Sequence, residues 1–271
     1  MSSSGATIAT TVPADGAPVL VQAHGPVTVL CMNMARRRNA LAAELREALI
    51  VALEAAMANT ECRAIVLTGV EASFCAGGDL DGLRDHDPLY VRARMQRGQH
   101  LIRLLAAGPK PVIAAVNGAA HGAGLSLACA CDFIIASQDA KFGAVFMKVG
   151  LMADFGLLWS LPRRIGLARA RRMLYASQVF DADEALRTGL ADELASAQEL
   201  LPAAISLAQG FAAAPPVAMA MTRGALARDC GTLEAALAQE LEAQTLLFST
   251  NDFVEGVRAF RERRVPRFEG L

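Results

Sequence analysis

Aromatic side chains are scarce in this chain. One tryptophan, two tyrosines and eleven phenylalanines occur among 271 residues, although hydrophobic residues make up 54%. The core must therefore be built from Ala, Leu, Val and Ile, whose small volumes suit helices packed closely on a sheet. An excess of one charge is also missing: 26 basic and 27 acidic residues leave a formal net charge of −1. Such a balance supplies no general field for nucleic acid or an anionic membrane, so neither is an expected partner. The four histidines are scattered and form no metal constellation. The six cysteines, at 31, 62, 75, 129, 131 and 230, include no CxxC pair. Cys129 and Cys131 lie two apart inside an apolar run, a spacing that fits a core better than zinc or redox chemistry. Reduced thiols in a cytoplasmic compartment are expected.

The opening MSSSGATIATTVPADG has no basic segment followed by an apolar block and reads as a loose tail over residues 1–16. The apolar stretch from Val112 to Cys131 contains Asn117, His121 and three glycines, and is bounded by Pro111 and Asp132. It does not read as a lipid-facing helix. The two classical glycine fingerprints for nucleotide phosphates, GxGxxG and GxxxxGK[ST], are not found in the glycine turns described below.

What is present is an α/β alternation. Residues 18–23 and 26–33 read as strands around a His24-Gly25 turn, and 42–58 as an amphipathic helix. Residues 63–69 are a buried strand that runs into a glycine turn. A long helix is expected over 89–107. A second buried strand at 111–116 runs into the glycine-rich HGAG, followed by a small-residue helix at 124–130 and a strand at 132–136. After Phe142 the segments 155–165, 167–176, 181–188, 197–213, 216–228, 232–247 and 250–263 all read helical, with strand character only around Leu190–Leu194. The expected organisation is a strand-rich core over 17–200 and a helical part over 201–271. The mean hydropathy of +0.33 suggests apolar surface buried between subunits.

Two glycine turns carry the candidate chemistry. Phe74-Cys75-Ala76-Gly77-Gly78-Asp79 and His121-Gly122-Ala123-Gly124 each follow a buried strand. The second opens a helix, where N–H groups are unsatisfied and the helix dipole is positive. Each turn alone reads more readily as a tight strand-to-helix connection. Together they could converge on one oxygen as an oxyanion hole.

Several strings then match a known pattern in order and spacing, from about residue 18 to 268. Ala64-Ile65-Val66-Leu67-Thr68-Gly69 with Ser73-Phe74-Cys75-Ala76-Gly77-Gly78-Asp79-Leu80 resembles the first oxyanion segment of the crotonase (enoyl-CoA hydratase/isomerase) family. Pro111 to Gly118, with Gly122-Ala123-Gly124 and Cys131-Asp132, resembles the second. Arg38-Asn39-Ala40-Leu41 resembles the segment that contacts coenzyme A, and Asp252-Phe253 through Arg264 the C-terminal helix. The resemblance implies an α/β spiral of ββα units with a C-terminal helical trimerisation region. It implies an acyl-CoA substrate, no cofactor beyond the coenzyme A of that substrate, and a homotrimer or homohexamer. The oxyanion donors would be the N–H groups of Gly78 and Ala123. Arg38, Ala40, Ala76, Gly77, Asp79, Leu80, Gly122 and Phe146 would line the substrate and coenzyme A site.

Hydratases of the family use two glutamates, at positions held here by Ser126 and Phe146. Asp154, in Gly150-Leu151-Met152-Ala153-Asp154-Phe155-Gly156, aligns instead with an acidic residue of family isomerases. Its burial among Met152, Phe155 and Phe146 would raise its pKa. Read without the resemblance, Asp154 is also a candidate N-cap for the following helix. The expected reaction is a double-bond shift using one carboxylate. Hydration, thioester hydrolysis, decarboxylation and non-catalytic acyl-CoA binding stay open. His121 reads as a satisfied core histidine or a pocket neighbour, His86 and His100 as surface or lid residues. Ser126 has no evident base beside it, and Cys75 is expected to pack inward. Arg36 and Arg37, with Arg38, are a solvated run or a phosphate clamp.

Overall fold

The computed structural model describes residues 16–79, 87–228 and 231–270. The expectations for residues 1–15, Leu80, His86, Cys230 and the first part of a helical lid at 81–100 lie outside the described residues. The chain begins with the antiparallel pair β1 (Val19–His24) and β2 (Val27–Met32), turned at Gly25. Helix α1 (Ala43–Ala58) follows, buried through Leu45, Leu49, Ile50 and Leu53. Its apolar residues recur three and four apart and so fall on one face.

From there the chain repeats one motif. A buried strand of the large sheet ends, turns a corner and adds a short strand to a second sheet before a helix returns. The first unit is β3 (Ala64–Gly69), β4 (Ser73–Cys75) and α2 (Pro88–Ala107). The second is β5 (Val112–Val116), β6 (Ala119–His121) and α3 (Ala123–Ala130). The third places β7 (Phe133–Ser137) and β8 (Lys141–Gly143), then helices α4 (Leu157–Ile165) and α5 (Leu167–Tyr175). The last core segments are β9 (Val179–Asp181), α6 (Ala182–Thr188) and β10 (Glu193–Ala195). Four helices follow: α7 (Leu200–Ala212), α8 (Pro216–Arg228), α9 (Leu233–Leu247) and α10 (Asn251–Glu262).

The large sheet has the order β1-β2-β3-β5-β7-β10, parallel from β2 onward, and the small one β4-β6-β8-β9. Parallel strands covered on both faces need apolar residues at every position. Ile65 and Leu67 of β3 accordingly face the main core, while Ala64 and Val66 face α7 through Ala204, Ile205 and Ala208. Each fully buried Leu or Ile contributes about 1.5–3 kcal/mol of transfer free energy. The stretch from Val112 to Cys131 is divided among β5, β6 and α3. No single helix among the described residues is long and apolar enough to cross a membrane.

The short strands β4, β6, β8 and β9 were not expected. Each has three residues, too few to show an alternation, and two of them lie within or beside the glycine turns. Strand β9 also overturns the expectation of purely helical texture between Phe142 and Leu190.

Candidate active site

The parallel pairing of β4 with β6 sets Ser73 beside Ala119 and Cys75 beside Ala120. Both glycine turns therefore leave the small sheet at the same edge. Their close approach needs glycine. Gly77 has φ +113°, and a β-carbon there would lie 3.0 Å from the His121 carbonyl oxygen. Gly122 has φ +51°, and its β-carbon position is 3.8 Å from Gly77 Cα. Both conformations are ones that side chains rarely tolerate. The Gly122 N–H is used, bonding Gly143 O at 2.8 Å. The N–H groups of Gly78 and Ala123 donate no hydrogen bond among the described residues. Ala123 is the first residue of α3, so its N–H carries the partial positive charge of a helix start. Two adjacent turns thus present free N–H donors, the requirement for holding a developing oxyanion.

The loop before α1 locks the first turn. Ala76 N–H donates to Arg38 O at 3.0 Å and Leu41 N–H to Gly77 O at 2.7 Å. Asn39, fully buried, donates to Ser73 O at 2.7 Å and accepts from Met34 N–H at 2.8 Å. Arg36, Arg37 and Arg38 are exposed, and Ala40 is half-buried. Arg37 pairs with Asp79 at 3.0 Å, so the Asp79 carboxylate has a cation of its own. Cys75 is fully buried and its thiol is pushed up to about 12 by desolvation, which leaves it unreactive.

Asp154 sits in the segment before α4. Ser126, fully buried on α3, donates from Oγ to the Asp154 carbonyl at 3.1 Å. That bond ties Asp154 to the helix whose first residue is Ala123. Phe146 is buried, with its ring tip 4.0 Å from the β-carbon position of Gly122. Ser126 and Phe146 therefore adjoin the second glycine turn, and the backbone of Asp154 is held against α3 one helical turn from it. Burial raises the Asp154 pKa from 3.8 to about 6, opposed by the charge of Arg94. Its Oδ1 is buried without a hydrogen-bond partner among the described residues. The N-cap alternative is ruled out: α4 is capped at Gly156 with no side-chain bond, and only the Asp154 carbonyl accepts, from Leu157 N–H at 3.1 Å. Met152 is not part of the enclosure, being 65% exposed, whereas Phe155 is buried.

His121 is half-buried, and its Nε2 is buried without a partner, so it is not the satisfied core histidine. Desolvation, with the charges of Arg38 and Lys148 nearby, lowers its pKa. His100 pairs with Glu54 at 2.7 Å on the outer side of α2. Among the described residues no cluster of His, Cys, Asp and Glu could hold a metal ion.

One charged residue was missed from the sequence. Arg94 on α2 has Nη2 3.9 Å from the β-carbon position of Gly78, and Asp154 and Asp79 are among its charged neighbours. The available signal was its place four residues before Gly98, on the stripe that Gly98, Leu101 and Leu105 bury.

The chain matches the family model described as enoyl-CoA hydratase/isomerase over residues 24–271. The chain belongs to the enoyl-CoA hydratase/isomerase family. It is 40% identical over 246 residues to a probable enoyl-CoA hydratase of Rhodobacter capsulatus, covering 90% of this chain and 95% of that protein. It is 34% identical over 258 residues to the 1,2-epoxyphenylacetyl-CoA isomerase of Escherichia coli, covering 93% and 98%. The crystal structure of an enoyl-CoA hydratase from Bacillus anthracis superposes with a TM-score of 0.88 at 31% identity, over 94% of this chain and all of that one. The α/β crotonase fold expected from the two oxyanion-like segments is therefore shown, as is membership of an acyl-CoA enzyme family.

Proposed function

We propose that this family member is an enoyl-CoA double-bond isomerase with Asp154 as its acid and base. The observation that carries the reading is the carboxyl of Asp154. It is enclosed beside the second glycine turn, has an unpaired oxygen and a pKa of about 6, and has Ser126 and Phe146 as neighbours of that turn. Neither neighbour is an acid or base at neutral pH, so Asp154 is the carboxyl proton carrier among these three positions. In the proposed reaction the thioester carbonyl of a 3-enoyl-CoA accepts hydrogen bonds from Gly78 N–H and Ala123 N–H. Asp154 takes a proton from C2, negative charge spreads over the dienolate, and the same carboxyl returns the proton to C4. The double bond then lies between C2 and C3, with no net change in atoms. A carboxyl whose pKa is close to the working pH exchanges a proton at little cost in either direction.

Arg38 and Ala40 fit contacts to coenzyme A on the loop that holds the first turn, and Ala76, Gly77, Asp79, Gly122 and Phe146 line the approach. The reading needs no separate cofactor and suits a cytoplasmic enzyme. It is tested with purified protein assayed on 3-enoyl-CoA and 2-enoyl-CoA side by side. Asp154→Asn should lower isomerisation by about 10²–10⁴ while acyl-CoA binding is kept. Near-wild-type isomerisation by the variant, or efficient hydration by a wild type that isomerises nothing, overturns the assignment.

We also propose assembly as a trimer, or a dimer of trimers, through the C-terminal helices. An apolar groove of about 610 Å³ runs between α8, α9 and α10, lined by Leu247, Phe248, Phe253 and Phe260. Phe248 and Phe260 are 61% and 85% exposed, an apolar surface out of keeping with a monomer. A stable monomer in sedimentation at micromolar concentration would exclude this assembly.

A further inference from the structure

Arg94 stands on the wall of the candidate site with no ion pair among the described residues, while Asp154 and Asp79 lie within electrostatic range of it. Its neighbours on the same helix and on α1 are paired: Arg97 with Glu47, and Arg46 with Glu47 at 3.3 Å. Arg94 makes no hydrogen bond or ion pair among the described residues. The carboxylate of Asp79 is held by Arg37, and Asp154 Oδ1 accepts no hydrogen bond. Arg46 adds to the imbalance, since it is buried, leaves Nη1 unpaired and lies within electrostatic range of Arg94. The position itself is one that packing would assign to an apolar side chain. Arg94 continues the Gly98, Leu101, Leu105 stripe by one turn toward the glycine turns. Gly98 there meets the ring of Phe155, next to Asp154. A guanidinium remains charged in any such setting, and a half-buried charge is costly until an anion meets it.

Geometry fixes where an added anion would meet this guanidinium. Arg94 Nη2 stands 3.9 Å from the β-carbon position of Gly78, the residue whose N–H faces the thioester carbonyl in the reading above. The phosphates of coenzyme A are separated from the thioester by the whole pantetheine arm, so they do not reach this point. An anion that a coenzyme A thioester brings beside Gly78 is therefore carried by its acyl group. We propose that Arg94 determines substrate class by binding a carboxylate on the acyl chain, so that the preferred substrates are short carboxylated acyl-CoA thioesters. The forked guanidinium matches a carboxylate through two parallel hydrogen bonds.

The proposal rests on the acyl-CoA reading but not on which reaction follows, so its test needs no turnover. Glutaryl-CoA and butyryl-CoA, both saturated, are titrated into the full-length protein by calorimetry. Wild type should bind glutaryl-CoA more tightly by about 10–100-fold, the worth of a charge-assisted hydrogen-bonded contact. In Arg94→Gln the ratio of the two affinities should fall close to one, and Arg94→Lys should retain part of it. Retention in the lysine variant separates charge recognition from a general loss of packing. Equal affinities in wild type, tighter binding of butyryl-CoA, or a ratio that survives in Arg94→Gln overturns the proposal while leaving the acyl-CoA reading intact. If neither thioester binds, the acyl-CoA reading fails and the proposal falls with it.

Discussion

Ser126 Oγ donates a hydrogen bond to the carbonyl oxygen of Asp154 at 3.1 Å. The same hydroxyl lies 3.3 Å from the carbonyl of Gly122, at the second glycine turn. A small buried side chain thus links the helix that presents Ala123 N–H to the segment that presents the carboxylate. Asp154 follows the second turn as a unit, which matters because proton transfer depends strongly on distance.

The raised pKa of Asp154 sets the pH profile. In the proposed reaction the carboxylate is the base, and it forms as pH rises through about 6. Turnover per enzyme should accordingly increase from pH 5 to pH 7 along a single ionisation and then level. A flat profile across that interval, measured with a non-titrating acyl-CoA substrate, would remove Asp154 as the base.

Stability should respond in the opposite direction. The folded pKa lies above the ordinary 3.8, so the native state holds the proton more tightly than the unfolded chain. This contribution is complete below about 3.8 and is lost as pH rises through about 6. Above that, the ionised and partly buried carboxylate costs on the order of 1–3 kcal/mol. Asp154→Asn should therefore stabilise the protein at pH 8 and change little at pH 4, as read by chemical denaturation. Destabilisation at pH 8 would indicate a partner for the carboxylate.

The buried runs that became β3 and β5 were legible because strands covered on both faces are apolar throughout, and the helices because their apolar residues recur at helical spacing. The three-residue strands were not legible. Their pairing is fixed by the corners at Asn117 and Gly118, where Asn117 bridges to Gly69 O at 2.8 Å, and not by any alternation of their own. The glycine turns could be read as candidates, yet their proximity is a product of β4 pairing with β6. Arg94 was hidden for a different reason. Arginine at a helix surface is ordinary, and only the packing of Gly98 against Phe155 reveals that its side of α2 faces the site. Asp154 was singled out by resemblance, while the disposal of its N-cap alternative required the observed start of α4 at Leu157.

Gly98 offers a test of how tightly Asp154 is held. A β-carbon at residue 98 would fall 1.6 Å from Cε1 of Phe155, so the ring must move. Phe155 is buried and has φ +47°, a conformation that a bulky residue keeps only when its surroundings impose it. Gly98→Ala should cost about 1–3 kcal/mol through overpacking. It should also lower kcat, because the displaced residue adjoins the proposed base. Unchanged kcat in a folded Gly98→Ala protein would show that Asp154 is positioned independently of α2.

Arg223 offers a test of the join between the helical C-terminal part and the core. It is 5% exposed on α8 and reaches Asp132 with Nε at 3.0 Å from Oδ1 and Nη2 at 2.8 Å from Oδ2. Its remaining N–H groups donate to Leu105 O at 2.8 Å and to Gly108 O, the end of α2. Asp132 in turn accepts from Val112 N–H at 2.7 Å, at the start of β5. One guanidinium therefore fastens α8 to the C-terminal end of α2 and to the strand that leads into the second glycine turn. Desolvating such a pair offsets much of its attraction, so its net worth against an apolar pair is small. Removing a single partner is different, because the carboxylate and two carbonyls are left behind. Arg223→Met should cost about 3–5 kcal/mol if Asp132 stays dry. The Asp132 side chain is 26% exposed, so water can reach it, and the lower end of that range is expected. Arg223→Met combined with Asp132→Asn should recover part of the loss, since no unpaired charge then remains. Urea denaturation of the two variants decides the matter. A loss well under 1 kcal/mol in the single variant, or no recovery in the double one, would show that packing of α8 and not this pair makes the join.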